Sequence, residues 1–253
     1  MEARKLSTGV RAGTRSFLRE PLNVVLLVVL PLVAIEVYGQ AMASFPQMPF
    51  MEATAATTGR ISGALFATAF LAGLLGLFQV ISAREADRRL LVCGFSRPTL
   101  LASRLVTILA VVAVVAGLAA VALTASVQTA RPLVAFGVLA AAGVTYSLVG
   151  VLMGSLVPRE LEGSLVLVFL ADVDDFLSSG MLDADVALAK AFPLYHPHHL
   201  LRSAVLDGSV SADHALWTGV YVATLLVLAL VAYLRATGGV AGGATSSTGG
   251  SDR

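Results

Sequence analysis

Three stretches of this chain, 61–83, 105–130 and 132–158, contain no Asp, Glu, Lys or Arg. Each is long enough to cross a bilayer as a helix, which takes about 20 apolar residues. Hydrophobic residues make up 57% of the chain and charged residues 13%, with a mean hydropathy of +0.85. Soluble domains carry roughly twice that share of charge, so a water-soluble core cannot hide this much apolar surface. The runs are too continuous for barrel strands, which alternate with period two. In lipid a helix satisfies its own backbone groups. The chain therefore reads as an all-α, polytopic membrane protein.

Six spans are expected: Leu22 to Tyr38 with Pro31 inside it, Ile61 to Ser82, Leu100 to Val127, Leu133 to Val157, an irregular fifth from Leu161, and Trp217 to Leu234. Arginine and lysine alternate between connections. Arg4, Lys5, Arg11, Arg15 and Arg19 precede the first span, Arg84, Arg88, Arg89, Arg97 and Arg104 follow the second, Arg159 follows the fourth and Arg235 the last. The other connections hold Arg60, Arg131, Lys190 and Arg202, the last two beside Asp183, Asp185, Asp207 and Asp213. By the positive-inside rule both termini are expected in the cytoplasm of a multi-pass cell-membrane protein. Ala41-Met42-Ala43 after the first apolar run also fits a signal-peptide cleavage site, although the run is long for one.

Residues 1–20 read as an amphipathic interfacial helix, with Val10, Phe17 and Leu18 opposite Arg11, Arg15 and Arg19. Pro21 then suits the first turn of a spanning helix. Residues 21–237 form the six-span domain, and the Gly- and Ser-rich 238–253 a flexible cytoplasmic tail. Gly63, Gly73 and Gly76 in span two, Gly117 in span three, and Gly137, Gly143, Gly150 and Gly154 in span four are expected to permit close helix packing. The lone Cys93 excludes an internal disulfide and a Cys-based metal site.

Polar residues within or beside the spans carry the chemistry. Asp172, Asp174 and Asp175 follow about ten residues of span five, which is near half depth at about 1.5 Å per residue. Charged groups there line interiors or aqueous cavities. Asp172 and Asp175, three apart, share a helix face, and with Asp174 they are candidates for lining a pathway that takes a cation or a cationic substrate. A shorter or earlier span would put them at the outer headgroups instead. Glu36 near the outer end of span one is a milder candidate, within reach of water. His196, His198 and His199, with His214 further on, are weak candidates for zinc or copper. They lie in an outer segment, 181–214, expected to be helical from Phe192 to Leu206. No metal site is assigned, and neither a cofactor nor a nucleic-acid partner is expected. The chain has no phosphate-binding Gly-x-x-x-x-Gly-Lys-Ser/Thr loop, no His-Glu-x-x-His and no Gly-x-Ser-x-Gly.

Several motifs, taken in order, resemble the permease subunits of type 2 ABC exporters, including the branch linked to copper-enzyme maturation. After the basic N-terminal helix come Arg84-Glu85, Leu90-Leu91, Ser96-Arg97 and Arg104. Ser179-Gly180, Phe192-Pro193-Leu194-Tyr195 and Arg202 then follow around the outer segment. The family's Gly-Thr pair is missing from the first loop, and Gly94 stands where Pro is usual. The resemblance implies a cytoplasmic coupling loop, 83–104, docking on a separate ABC ATPase through Leu90, Leu91 and Phe95, oriented by Glu85, Arg88 and Arg97. It also implies a homodimer or paired permease in the lipid bilayer, with ATP hydrolysed by the partner. A non-transporting anchor, an immunity or regulatory protein, and a secondary transporter remain alternatives.

Overall fold

The computed structural model describes residues 21–46, 53–81, 89, 97–179 and 189–238. Among these, every regular element is helical: α1 Pro21–Ala43, α2 Ala55–Ile81, α3 Arg97–Ser126, α4 Pro132–Leu156, α5 Glu160–Ser178, α6 Tyr195–Leu206 and α7 Ala212–Gly238, with a 3₁₀ turn at Ala189–Ala191 before α6. The expected interfacial helix, the glycine-rich tail beyond residue 238 and most of the coupling loop lie outside the described residues.

Local chemistry sets several helix ends. The Thr54 hydroxyl accepts the Thr57 N–H at 3.2 Å, an N-cap that starts α2 at Ala55, ahead of the expected Ile61. Arg60, expected in a connection, therefore lies inside α2. Pro132 occupies the first turn of α4. Glu160 and Glu162 in the first turn of α5 complement the helix dipole. Gly208, at φ 66°, ends α6 in the left-handed conformation that glycine adopts without penalty. Helix α1 runs unbroken through Pro31 and past Tyr38 to Ala43.

Helices α2 and α4 form the centre, and the other long helices pack against one or both. They run parallel in a constant register, with Gly143 beside Thr68, Gly150 beside Gly73 and Gly154 beside Leu77. Backbones meet here without side chains between them. A Cβ at Gly76 would strike the Ser147 carbonyl, and one at Gly150 the Gly73 carbonyl. Small residues are the usual means of such approach between apolar helices, where burial in lipid gives no hydrophobic drive. Gly117 and Gly137 do not serve this purpose: the first has only the Phe136 ring at 3.9 Å and the second has nothing within 4 Å.

Helix α1 is antiparallel to α2, with Ala34 beside Gly63 and Tyr38 beside Gly59. Helix α5 is antiparallel to α2 as well, with Gly163 against Leu77 and Leu167 against Gly73. Thus α1, α3 and α5 run one way, and α2, α4 and α7 the other. One end of the bundle gathers the α1–α2 and α3–α4 connections and α6. The opposite end gathers the α2–α3 connection, the α4–α5 turn, the start of α1 and the end of α7.

Among the described residues, five helices are long and apolar enough to cross a membrane: Val25–Ala43, Ala55–Ile81, Ala102–Ser126, Pro132–Leu156 and Ala212–Tyr233. The expected fifth span forms α5, whose 19 residues include five acids and set it apart from those five. Its buried stripe, Gly163, Leu167, Ala171, Asp174 and Ser178, follows helical spacing. Its opposite face exposes Leu161, Leu165 and Phe169. Val28, Val29 and Leu32 on α1 and Val227, Leu228 and Val231 on α7 are exposed in the same way. Apolar faces of this extent suit hydrocarbon, not water.

Replacing Gly150 by Val is expected to lower stability by about 2–3 kcal/mol through overpacking, seen as a lower thermal midpoint in detergent. Gly137→Val, on the open face, should leave the midpoint unchanged.

Candidate functional site

The acidic cluster lies on the last two turns of α5, at the end of the bundle that carries α6. Successive helical residues turn by about 100°, so the three carboxylates separate. Asp174 points into the bundle and is fully buried. It accepts the Tyr146 hydroxyl at 2.6 Å, the Ser178 hydroxyl at 3.2 Å and the Leu194 N–H at 3.1 Å. A carboxylate removed from water needs this many donors. The result is a clamp that ties the chain entering α6 to both α4 and α5.

Asp172 and Asp175 face the other way, toward α1 and α2. The Tyr38 hydroxyl donates to Asp172 at 2.7 Å. The Tyr38 ring is held in turn by Phe66, with centroids 5.4 Å apart. Asp175 is only 2% exposed, and its Oδ1 has no hydrogen-bond partner. Ser62 lies 3.2 Å from His198 Nε2. No Lys or Arg among the described residues pairs with any of the three carboxylates.

Between α1, α2 and α5 opens a cleft of about 380 Å³, lined by Tyr38, Met42, Ser62, Asp172, Asp175 and Phe176 among others. Most of its wall is apolar, and its polar groups converge from three helices.

Glu36 is not part of this cleft. It faces Arg60, with Oε2 at 3.4 Å from the guanidinium, and accepts the Ser126 hydroxyl at 3.0 Å. Arg60 also reaches the Ser126 carbonyl at 3.4 Å. The half-exposed pair joins α1, α2 and α3, and such pairs contribute little more than about 1 kcal/mol.

The histidines diverge. His198 is buried against Ser62, while His196 Nδ1 lies 3.0 Å from His214 Nδ1. The His196 ring stacks on Trp217, and the His199 ring on His214 with centroids 4.9 Å apart. No group of three His, Cys, Asp or Glu side chains among the described residues is placed to hold a metal ion. Burial, then the charges of His199 and Arg202, lower the His198 pKa to about 3. Burial first, then His214 and Arg202, lower that of His199 to about 4.

Of the expected coupling residues, Glu85, Arg88, Leu90, Leu91 and Phe95 lie outside the described residues, and Arg97 opens α3. Arg104 lies within α3 and donates to Gln79 Oε1 of α2 at 2.9 Å. Tyr38, Ser62 and Tyr146 were not singled out by the sequence. Their one signal was a hydroxyl in an otherwise apolar span.

No protein-family model matches this chain, and no curated protein matches it.

Tyr146→Phe removes one of the donors to buried Asp174 and is expected to cost about 1–3 kcal/mol, read as a lower thermal midpoint. A second expectation concerns acid. His198 has a depressed folded pKa, so the unfolded chain binds its proton first. Stability is then complete above the ordinary histidine value near 6.5 and is lost as pH falls from there toward 3. The loss approaches about 1.4 kcal/mol per pH unit. Thermal melts of His198→Gln should fall less steeply between pH 6.5 and 5 than those of the parent.

Proposed function

We propose that this chain is the membrane-spanning permease subunit of an ATP-driven ABC exporter, working with a separate ATPase subunit. The observation that carries the reading is the division of labour between the two ends of the bundle. The helix directions bring the Arg-rich connection after α2, the Arg159 turn and the end of α7 with Arg235 to one end. The opposite end has the acidic cleft, the histidines and α6. A protein that receives force from a cytoplasmic partner and opens away from it is arranged in this way. The motif order of the first cytoplasmic loop and of the outer segment supports the same reading.

In this reading the arginine-rich end is cytoplasmic by the positive-inside rule, and the chain sits in the cell membrane. Helix α5 acts as the sixth span. Its acidic residues are tolerated because they turn inward to hydroxyls and to the cleft, with Leu161, Leu165 and Phe169 turned to lipid. Two permease units, identical or paired, enclose the pathway.

Coupling has a short mechanical route. Residues 82–96 join α2 to α3, and Arg104 at the start of α3 with Gln79 at the end of α2 ties these helices together. Helix α2 is central, and its Ser62 meets His198 at the far end and lines the cleft with Asp175. A pull on the loop by an ATP-bound partner then shifts α2 against α1 and α5, the walls of the cleft.

A mild-detergent pull-down of the tagged protein from native membranes tests the proposal. The expected result is co-purification of an ABC ATPase, lost when Leu90, Leu91 and Phe95 are each changed to Asp. Recovery of the intact protein without an ATPase, even after crosslinking, would reject the permease reading in favour of a non-transporting anchor, a regulatory or immunity protein, or a secondary transporter.

A further inference from the structure

From the cleft between α1, α2 and α5 we infer a binding site for an organic ammonium ion with an apolar body. Three observations converge. The first is an unsatisfied buried acceptor: Asp175 is 2% exposed, lines the cleft and has no partner on Oδ1. A carboxylate oxygen stripped of water without a donor is costly, and a bound donor offsets that cost. The second is charge. Asp172 stands in the same cleft, and no Lys or Arg among the described residues pairs with either carboxylate. The third is the wall. Val37, Met42, Val173 and Phe176 line the cavity with Tyr38, and its volume of about 380 Å³ falls within the range of small-molecule pockets.

These features select among cations. Calcium takes 6–8 oxygen ligands and magnesium demands a near-ideal octahedron, often keeping its waters. The described residues hold no metal-sized convergence of three ligating side chains, and an apolar wall gives a hydrated ion nothing. A primary ammonium is a point charge with three donors. One donor satisfies Asp175 Oδ1, and Asp172 offers a second acceptor. The organic body then lies along Val37, Met42 and Phe176, with aromatic faces available to the cation. Tyr38 acts as a positioning residue, holding Asp172 by its hydroxyl.

That this ammonium compound is the transported cargo rests on the permease reading; its binding does not. The same chemistry is offered by a soluble amine and by the headgroup of phosphatidylethanolamine.

The test is isothermal titration calorimetry of 2-phenylethylammonium into the purified full-length protein in nanodiscs of phosphatidylglycerol. Saturable binding is expected. Asp175→Asn should weaken it about tenfold or more, the loss of a charge-assisted hydrogen bond. Asp172→Asn should weaken it less, and Asp213→Asn, outside the cleft, not at all. Ala41→Trp fills the cleft without touching a charge and should abolish binding. Thermal midpoints near that of the parent establish that each variant is folded. Adding phosphatidylethanolamine to the nanodiscs separates the two sources: Asp175-dependent competition assigns the site to the headgroup, and undiminished affinity assigns it to a soluble amine. No binding, or equal binding by parent and Ala41→Trp, would overturn the site. Asp175-dependent displacement of the probe by magnesium would overturn the organic cation in favour of a metal. The assay contains no ATPase, so the two readings fail separately. An absent ATPase with binding intact removes only the cargo role, and a recovered ATPase with no binding removes only the site.

Discussion

The bundle depends on the contact between α2 and α4, where backbone meets backbone at Gly76 and Gly150. In a protein with apolar faces turned outward, association of helices cannot draw on burial from water. It draws on dispersion between closely fitted surfaces. Bringing two helix axes this close multiplies such contacts and leaves room for little else in the seam. Helices α1, α3, α5 and α7 are then placed by the surfaces that the α2–α4 pair presents.

A second constraint acts at the α6 end. An apolar bundle offers few partners to a polar group, so each polar group there is met by another. Asp174 gathers donors from α4, α5 and the segment leading into α6; Glu36 meets Arg60 and Ser126; Ser62 meets His198. These contacts are few, but in a low dielectric each is directional and hard to replace. They fix the end of the bundle that side-chain packing alone would leave loose. Asp175 Oδ1 breaks the pattern, being buried and unanswered, and Asp175 lines the cleft between α1, α2 and α5 beside Asp172.

Much of this was legible in the chain. The helices follow from uncharged runs whose length matches a bilayer. The shared face of Asp172 and Asp175 follows from helical spacing. Other features were not legible. Arg60 read as a loop charge because the charge-free run begins after it, whereas the Thr54 cap starts α2 at Ala55, before it. The depth of Asp172 to Asp175 was open between mid-membrane and the outer headgroups because the length of α5 was unknown; α5 ends at Ser178, so the cluster lies on its last two turns. His196, His198 and His199 read as one group because they are adjacent in sequence. A helix separates them, sending His198 to α2 and His196 to α7.

The sequence by itself determined the apolar character of the long runs and their secondary structure. Both are local: an uncharged run of sufficient length must be a helix in lipid wherever its neighbours lie. It also determined the spacing that sends Asp174 to one side and Asp172 with Asp175 to the other. Only the tertiary structure decided which hydroxyls answer those carboxylates. Tyr38 and Tyr146 lie far from α5 in the chain, and nothing in their surroundings distinguishes them from other hydroxyls in apolar helices. Their role comes from the register of α1 and α4 around α5. That register is set by steric fit along whole helices, a property of pairs of surfaces that no single stretch of sequence contains.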